Sequence, residues 1–143
     1  MSDETGDFLM VMPPSKQLTL NDLIYLKRLT VTVIFITWNR GDLDGHYVNT
    51  SPEYGGMLAA HHLISKGHRR LAVLVSEPHI AAVETRVSSF VQYARLQDAE
   101  VEEIDCNVHS YEKSAVKTYE YFRDWLAAKQ PRFTGLFVIS DSL

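Results

Sequence analysis

Residues 54–75 read YGGMLAAHHLISKGHRRLAVLV, and this stretch decides the fold class. Apolar side chains recur at helical spacing through its first part, which predicts a helix from about Glu53 to Lys66. Gly67 stands where a residue of left-handed conformation ends such a helix. The apolar run from Leu71 to Val75 then predicts a buried strand. A helix that leads directly into a buried strand is typical of α/β proteins.

The same alternation of apolar runs and helical segments extends in both directions along the chain. It predicts an α/β fold with Rossmann-like parallel sheets and crossover helices. The predicted strands are Phe8–Met12, Thr30–Ile36, Leu71–Val75, Val101–Ile104 and Phe133–Ile139, with a short additional strand at Tyr47–Asn49. The other predicted helices run from Leu20 to near Leu29, through Val83 to Ala94, and from about Ser110 to Lys129.

Local signals set the ends and faces of two of these helices. Thr19 is placed as an N-cap, with Asp22 three residues later where the acid of a capping box would lie. Pro131 ends the last helix. The apolar stripe predicted for the first helix consists of Leu20, Leu23 and Ile24. The inner face predicted for the last helix consists of Ala115, Tyr119, Phe122 and Leu126.

Composition and charge restrict the function classes. The chain has 143 residues and a formal net charge of −4, which argues against a free-standing nucleic-acid binder because phosphate neutralisation requires a basic face. The single Cys106 cannot form an internal disulfide. Residues 1–7 are acidic where a signal peptide is basic, and no run approaches the ~20 apolar residues of a membrane span. We therefore expect a cytoplasmic protein without a membrane partner.

Motifs of cofactor binding and catalysis are absent from the sequence. The seven glycines fall at positions that spell neither the dinucleotide fingerprint nor a phosphate-binding P-loop. No Gly-x-Ser-x-Gly nucleophile motif occurs. His61 and His62 would point about 100° apart on a helix, so the pair cannot face one metal ion together. The sequence therefore predicts no catalytic residue, no cofactor and no metal site.

Residues that follow the predicted strands are candidate ligand-binding residues, because open parallel sheets bind ligands outside the carboxyl ends of their strands. Trp38 can stack on a ligand or plug the end of its strand. Arg86 can hold a hydroxyl pair or a carboxylate with two N–H groups, or remain solvated. His109 can stack on a ligand or form a hydrogen bond with it. Asp141 can accept hydrogen bonds from two vicinal hydroxyls or cap a following helix.

Several stretches together resemble the effector domain of the LacI/GalR family of bacterial transcription regulators. The Gly-Gly helix, the Gly-His-Arg-Arg turn and the strand after it carry the most specific part of the resemblance. Residues 86–90, RVSSF, resemble the arg-x-x-gly-phe signature of the family, with Ser89 at the glycine position. The remaining similar stretches are Gly6–Met12, Val33–Trp38, Val48–Thr50 and Val138–Asp141. The resemblance covers nearly the whole chain.

The resemblance implies two Rossmann-like lobes around a cleft, as in periplasmic binding proteins of type I. Residues 1–6 would be an N-terminal tail, and residues 7–48 would form the later part of the N-terminal lobe. Residues 49–143 would form the earlier part of a truncated C-terminal lobe. The expected domain boundary therefore follows residue 48.

The resemblance also implies roles for the candidate residues. Arg86 and Asp141 would lie where the family holds the hydroxyls of its effector, and Trp38 and His109 where it has aromatic or polar groups that line the pocket. The implied function is sensing of a sugar or related small metabolite, without enzymatic activity. In the intact regulator, expected to be a homodimer, the effector would change the binding of operator DNA through a headpiece outside this sequence.

Two other functions are compatible with the sequence. A transport-type sugar-binding protein would share the same two lobes. A small α/β enzyme, for example an isomerase, would use His109 and Asp141 as a pair. Convergence of these two side chains beside a metal or cofactor would favour the enzyme.

Overall fold

The computed structural model describes residues 7–12, 18–36 and 45–140. The chain divides into two compact units, Met1–Thr50 and Ser51–Leu143, which we call the first and second units. The elements of the first unit are β1 (Phe8–Val11), α1 (Leu20–Lys27), β2 (Thr32–Ile36) and β3 (His46–Val48). The elements of the second unit are α2 (Pro52–Ser65), β4 (Arg70–Val75), α3 (Ala81–Leu96), β5 (Glu100–Asp105), α4 (Ser114–Ala128) and β6 (Gly135–Val138).

The first unit contains a parallel sheet of strand order β1-β2-β3. The predicted capping box of α1 is confirmed: Thr19 Oγ1 accepts a hydrogen bond from the Asp22 amide at 3.3 Å, and Asp22 Oδ2 accepts one from the Thr19 amide at 2.8 Å. The predicted apolar stripe is only partly confirmed, because Leu23 is buried whereas Leu20 and Ile24 are exposed. Leu23 lines a cavity together with Val33 and Phe35 of β2, whereas Leu20 and Ile24 do not line it.

The second unit contains a parallel sheet of strand order β5-β4-β6. Side chains of β4 alternate between two apolar clusters, so they pack on both faces of the sheet. Helices α2 and α3 cover the face that carries Leu71 and Val73, and α4 covers the face that carries Ala72 and Leu74. This central position explains why β4 is apolar from Leu71 to Val75. The predicted α/β fold with parallel sheets is confirmed.

Helix α2 begins and ends as its sequence predicts. Ser51 Oγ accepts a hydrogen bond from the Tyr54 amide at 3.2 Å, and Pro52 occupies the first turn, where its missing N–H group has no role. Gly67 follows the helix with a φ of +93°, and its amide donates to the Ile64 carbonyl at 2.9 Å. Because residues with a side chain rarely adopt this conformation, glycine is strongly favoured there.

Helix α4 differs from its prediction in both its start and its buried face. It begins at Ser114 instead of Ser110, because the preceding residues form a turn in which the Glu112 amide donates to the His109 carbonyl at 2.9 Å. The predicted inner residues Ala115, Tyr119 and Leu126 are exposed. The inward side chains are instead Thr118, Phe122 and Trp125, because Trp125 packs its large ring against Phe122 and Phe133.

Candidate ligand-binding site

The carboxyl ends of β4, β5 and β6 lie at one edge of the second unit, because all three strands are parallel. The Cys106 amide, just after β5, donates to the Val75 carbonyl at 3.1 Å. The Ile139 amide, just after β6, donates to the Leu74 carbonyl at 3.4 Å. We call this edge the carboxyl edge. It is the place where an open parallel sheet presents its ligand-binding residues.

Arg86 lies in α3, and its half-buried side chain reaches the carboxyl edge. Its Nη1 donates a hydrogen bond of 3.0 Å to the carbonyl oxygen of Ile139. The ion pairs formed within residues 7–12, 18–36 and 45–140 do not include Arg86. A guanidinium has five N–H donors in a planar fork, so the contact with Ile139 occupies only a part of its hydrogen-bonding capacity.

His109 lies on the same side of the sheet, in the segment that joins β5 to α4. Its backbone N–H donates to Glu112 Oε2 at 2.9 Å, and this bond lowers the pKa of the Glu112 carboxyl. The Lys117 ammonium, 3.4 Å from Glu112 Oε1, acts in the same direction. The exposed imidazole stacks on the Tyr111 ring, with centroids 5.6 Å apart and planes 8° apart. The main chain of His109 is thus held while its ring stays accessible.

The two remaining candidates, Trp38 and Asp141, lie outside the described residues. Their roles in ligand binding stay predictions. In the sequence Asp141 comes two residues after Ile139, the residue to which Arg86 is bound.

Glu77 and Ser114 are candidates that the sequence reasoning missed. Glu77 lies two residues after β4 and is half-buried, and Ser114 Oγ at the start of α4 donates to its Oε2 at 3.3 Å. The rule that led to Arg86 and Asp141 would have found Glu77, because it follows the central strand.

Ser76, directly after β4, is fully buried at the same edge. Its carbonyl accepts a hydrogen bond of 3.5 Å from Thr118 Oγ1 of α4. Its own Oγ has no hydrogen-bond partner in the described part of the chain. Buried hydroxyls are usually hydrogen-bonded, so Ser76 is an energetically unfavourable residue at this position.

A second group of polar side chains lies between α3 and the edge strand β5. His79 Nε2 is 2.9 Å from Asp105 Oδ2, and the other Asp105 oxygen accepts from the Asn107 amide at 2.7 Å. These side chains border a cavity of about 400 Å³ whose floor is formed by valines of β4 and α3. Within the described ranges, no three His, Cys, Asp or Glu side chains are arranged as metal ligands.

Arg86 and Glu77 give the carboxyl edge a donor and an acceptor of opposite charge. A guanidinium donates two parallel hydrogen bonds, and a carboxylate accepts several. Together these groups offer both donors and acceptors, which suits a ligand that carries several hydroxyl groups.

Searches with the sequence find no matching protein-family model and no matching curated protein. The structure, in contrast, matches solved proteins. One is a LacI-family transcriptional regulator from Burkholderia phymatum, with 28% identity and a TM-score of 0.65 over 90% of this chain and 45% of the other. Another is a LacI-family regulator from Enterococcus faecalis V583 with bound ribose, with 22% identity and a TM-score of 0.67 over 92% of this chain and 46% of the other.

The chain has a periplasmic-binding-protein-like fold of type I. A sugar-binding protein also shares this periplasmic-binding-protein-like fold: the glucose-galactose binding protein GanP from Geobacillus stearothermophilus has 22% identity and a TM-score of 0.61, over 81% of this chain and 40% of its own. The resemblance to LacI-type regulators predicted from the sequence is confirmed by these structures. The chain spans less than half the length of each of the three.

The periplasmic-binding-protein-like fold accounts for the parallel sheets described above. The three solved proteins are two regulators and one binding protein. In the described ranges, none of the helices has both the length and the apolar character needed to cross a membrane.

Proposed function

We propose that this chain is the central part of the effector-binding domain of a LacI-type transcription regulator, and that it binds a small sugar or a related polyhydroxyl metabolite. The observation that carries the proposal is the half-buried Arg86, which reaches the carboxyl edge without a described carboxylate partner. Removing a charged group from water is unfavourable unless its hydrogen bonds are satisfied. A ligand with vicinal hydroxyls satisfies two N–H groups of the guanidinium at once.

Glu77 supports the same ligand class. Its half-buried carboxylate, bonded to Ser114, lies near the end of the central strand, where it can accept a hydrogen bond from a ligand hydroxyl. We assign further ligand contacts to Asp141, Trp38 and His109, with aromatic stacking by Trp38 and His109 and hydroxyl binding by Asp141. The ribose in the Enterococcus faecalis regulator and the name of the glucose-galactose binding protein make pentoses and hexoses the first ligands to test.

The proposed function is regulatory and requires no catalytic step. In an intact cytoplasmic regulator, a homodimer, a sugar that binds one arrangement of the two lobes better than the other shifts their equilibrium. The same differential affinity changes the affinity for operator DNA, since the coupling between the two sites is reciprocal. DNA binding itself belongs to a headpiece outside this sequence.

A transport-type sugar-binding protein is the second candidate, because GanP has the same fold with a TM-score of 0.61. The reading frame that surrounds the coding sequence distinguishes the two. An upstream helix-turn-helix segment supports the regulator, whereas a secretory signal peptide contradicts it and supports transport.

Calorimetric titration of the chain with D-ribose, D-glucose and D-galactose tests ligand binding. At least one sugar should bind, and Arg86→Ala should weaken that binding at least about tenfold, since a hydrogen bond to a charged group contributes about 1.5–3 kcal/mol. Arg95→Ala is the matched control, because Arg95 lies on the same helix but pairs with Glu103 at 3.7 Å. Equal sugar affinity in Arg86→Ala and the unsubstituted chain would refute the role of Arg86.

A further inference from the structure

Helices α2 and α3 approach each other closely at Gly56. A Cβ atom added to Gly56 would lie 2.2 Å from the carbonyl oxygen of Arg86 and 2.3 Å from Ser89 Oγ. It would also lie 3.0 Å from the backbone nitrogen of Phe90. Two of these three neighbours are backbone atoms, which cannot rotate away as the end of a flexible side chain can. Any residue other than glycine must therefore displace one helix from the other.

The turn of α3 that contacts Gly56 is the turn that carries Arg86. Ser89 Oγ donates a hydrogen bond of 3.2 Å to the same Arg86 carbonyl that faces Gly56. The side chain of Arg86 extends from this turn to Ile139, 3.0 Å from Nη1 to the carbonyl oxygen. The reach of the guanidinium along the carboxyl edge therefore depends on the distance between α2 and α3.

Helix α2 starts at the boundary between the two compact units. The second unit begins at Ser51, and this residue is also the N-cap of the helix. Gly56 lies in the second turn of α2, five residues after the cap. One helical segment and one backbone contact thus connect the start of the second unit to Arg86.

We propose that Gly56 is a positioning residue through which α2 sets the place of Arg86 at the carboxyl edge, so that movement at the start of α2 alters ligand binding. The proposal rests on the proposed function, because it makes the affinity at Arg86 responsive to the segment that joins the two units. Both sides of the contact are packed: Gly56 is buried, and Phe90 of the facing turn is fully buried. Packed elements transmit a displacement because they leave no free volume to absorb it.

The first test needs no ligand. In a ¹⁵N-labelled chain, the side-chain Nε–H resonance of Arg86 is assigned by its loss in Arg86→Lys. Gly56→Ala should shift this resonance, because the added methyl group pushes the Arg86 turn away. Gly55→Ala is the matched control, since it makes the same change in the same helix at a position with no atom within 4 Å. An unshifted Arg86 resonance in Gly56→Ala would overturn the proposal.

A second pair of variants keeps the test valid if Gly56→Ala does not fold. Ser89→Ala removes the hydroxyl bonded to the Arg86 carbonyl, whereas Ser88→Ala removes an equivalent hydroxyl bonded to the Thr85 carbonyl at 3.1 Å. Ser89→Ala should shift the Arg86 resonance and Ser88→Ala should leave it in place. An equal effect of the two substitutions contradicts a positioning role for this contact.

A double-mutant cycle with D-ribose tests whether the position of Arg86, as set by Gly56, affects ligand binding. Gly56→Ala should weaken D-ribose binding about tenfold in the chain with Arg86 and have no further effect in Arg86→Ala, as expected for coupled neighbours. Equal weakening in both backgrounds would show a general structural defect and overturn the proposal. If Arg86→Ala alone leaves D-ribose binding intact, the proposed function of Arg86 fails, whereas the ligand-free resonance still decides whether Gly56 positions it.

Discussion

Nη1 of Arg86 donates a hydrogen bond of 3.0 Å to the carbonyl oxygen of Ile139, and this bond joins α3 to the end of β6. Arg86 therefore has a structural partner as well as a proposed ligand. One donor of the guanidinium holds the protein together, while the planar fork has further donors for the ligand. The two roles can be separated by a substitution that keeps the positive charge but loses the planar arrangement of N–H donors.

The substitution Arg86→Lys separates the structural role of Arg86 from its proposed role in ligand binding. A lysine ammonium can replace the bond to Ile139, but it cannot hold a pair of vicinal hydroxyls in the planar geometry of a guanidinium. We expect sugar affinity to fall about tenfold while the free energy of unfolding changes by less than about 1 kcal/mol. Calorimetric titration and urea unfolding measure the two quantities. Unchanged sugar affinity would show that the planar guanidinium of Arg86 is not needed for sugar binding.

Gly67→Ala should destabilise the second unit. The φ of +93° at this position is unfavourable for a residue with a side chain, so the expected loss is about 1 kcal/mol of unfolding free energy. The cause would be conformational alone, because an added Cβ has nothing within 4 Å. Gly55→Ala has equally open surroundings but lies inside α2, and it should stabilise by up to about 1 kcal/mol. Urea midpoints that move in the same direction would contradict this account.

Cys106 should make stability depend on pH in the alkaline range. Burial raises the pKa of its thiol, against a smaller opposite effect of a hydrogen bond with Thr118. Above the ordinary thiol pKa the unfolded chain loses its proton first, so stability is intact below that value and falls as pH rises above it. Urea unfolding at about pH 7.5 and about pH 9.5 should show a larger decrease for the natural chain than for Cys106→Ala. Equal decreases would exclude the buried thiol as the cause.

The fold could be predicted where each apolar run has only one way to be buried. The apolar run of β4 could be assigned to a strand because a strand that is covered on both faces carries apolar side chains on both. The end of α2 could be assigned because glycine readily adopts the left-handed conformation found at Gly67. The buried face of α4 could not be predicted, because two overlapping stripes of side chains on this helix share Phe122. Only the packing of Trp125 against Phe133 selects the stripe that faces the sheet.

The candidate site could be predicted less completely. Arg86 was found because it follows a strand and because its surroundings resemble a known family. Its bond to Ile139 could not be found, since the two residues are 53 positions apart and the contact depends on strand order. Glu77 was missed because its half-buried environment arises from α4, which folds back over the end of β4.

Ser76→Ala should not lower the free energy of unfolding, although it alters a fully buried residue. The Ser76 Oγ is shielded from water and has no described hydrogen-bond partner, and leaving such a group unpaired costs about 1–3 kcal/mol. Removal of the hydroxyl leaves the Ser76 carbonyl free to accept the Thr118 bond as before. We expect the urea midpoint to stay constant or rise, whereas Ser114→Ala should lower it by removing the bond to Glu77. A loss of more than about 1 kcal/mol in Ser76→Ala would show that the hydroxyl is hydrogen-bonded in solution.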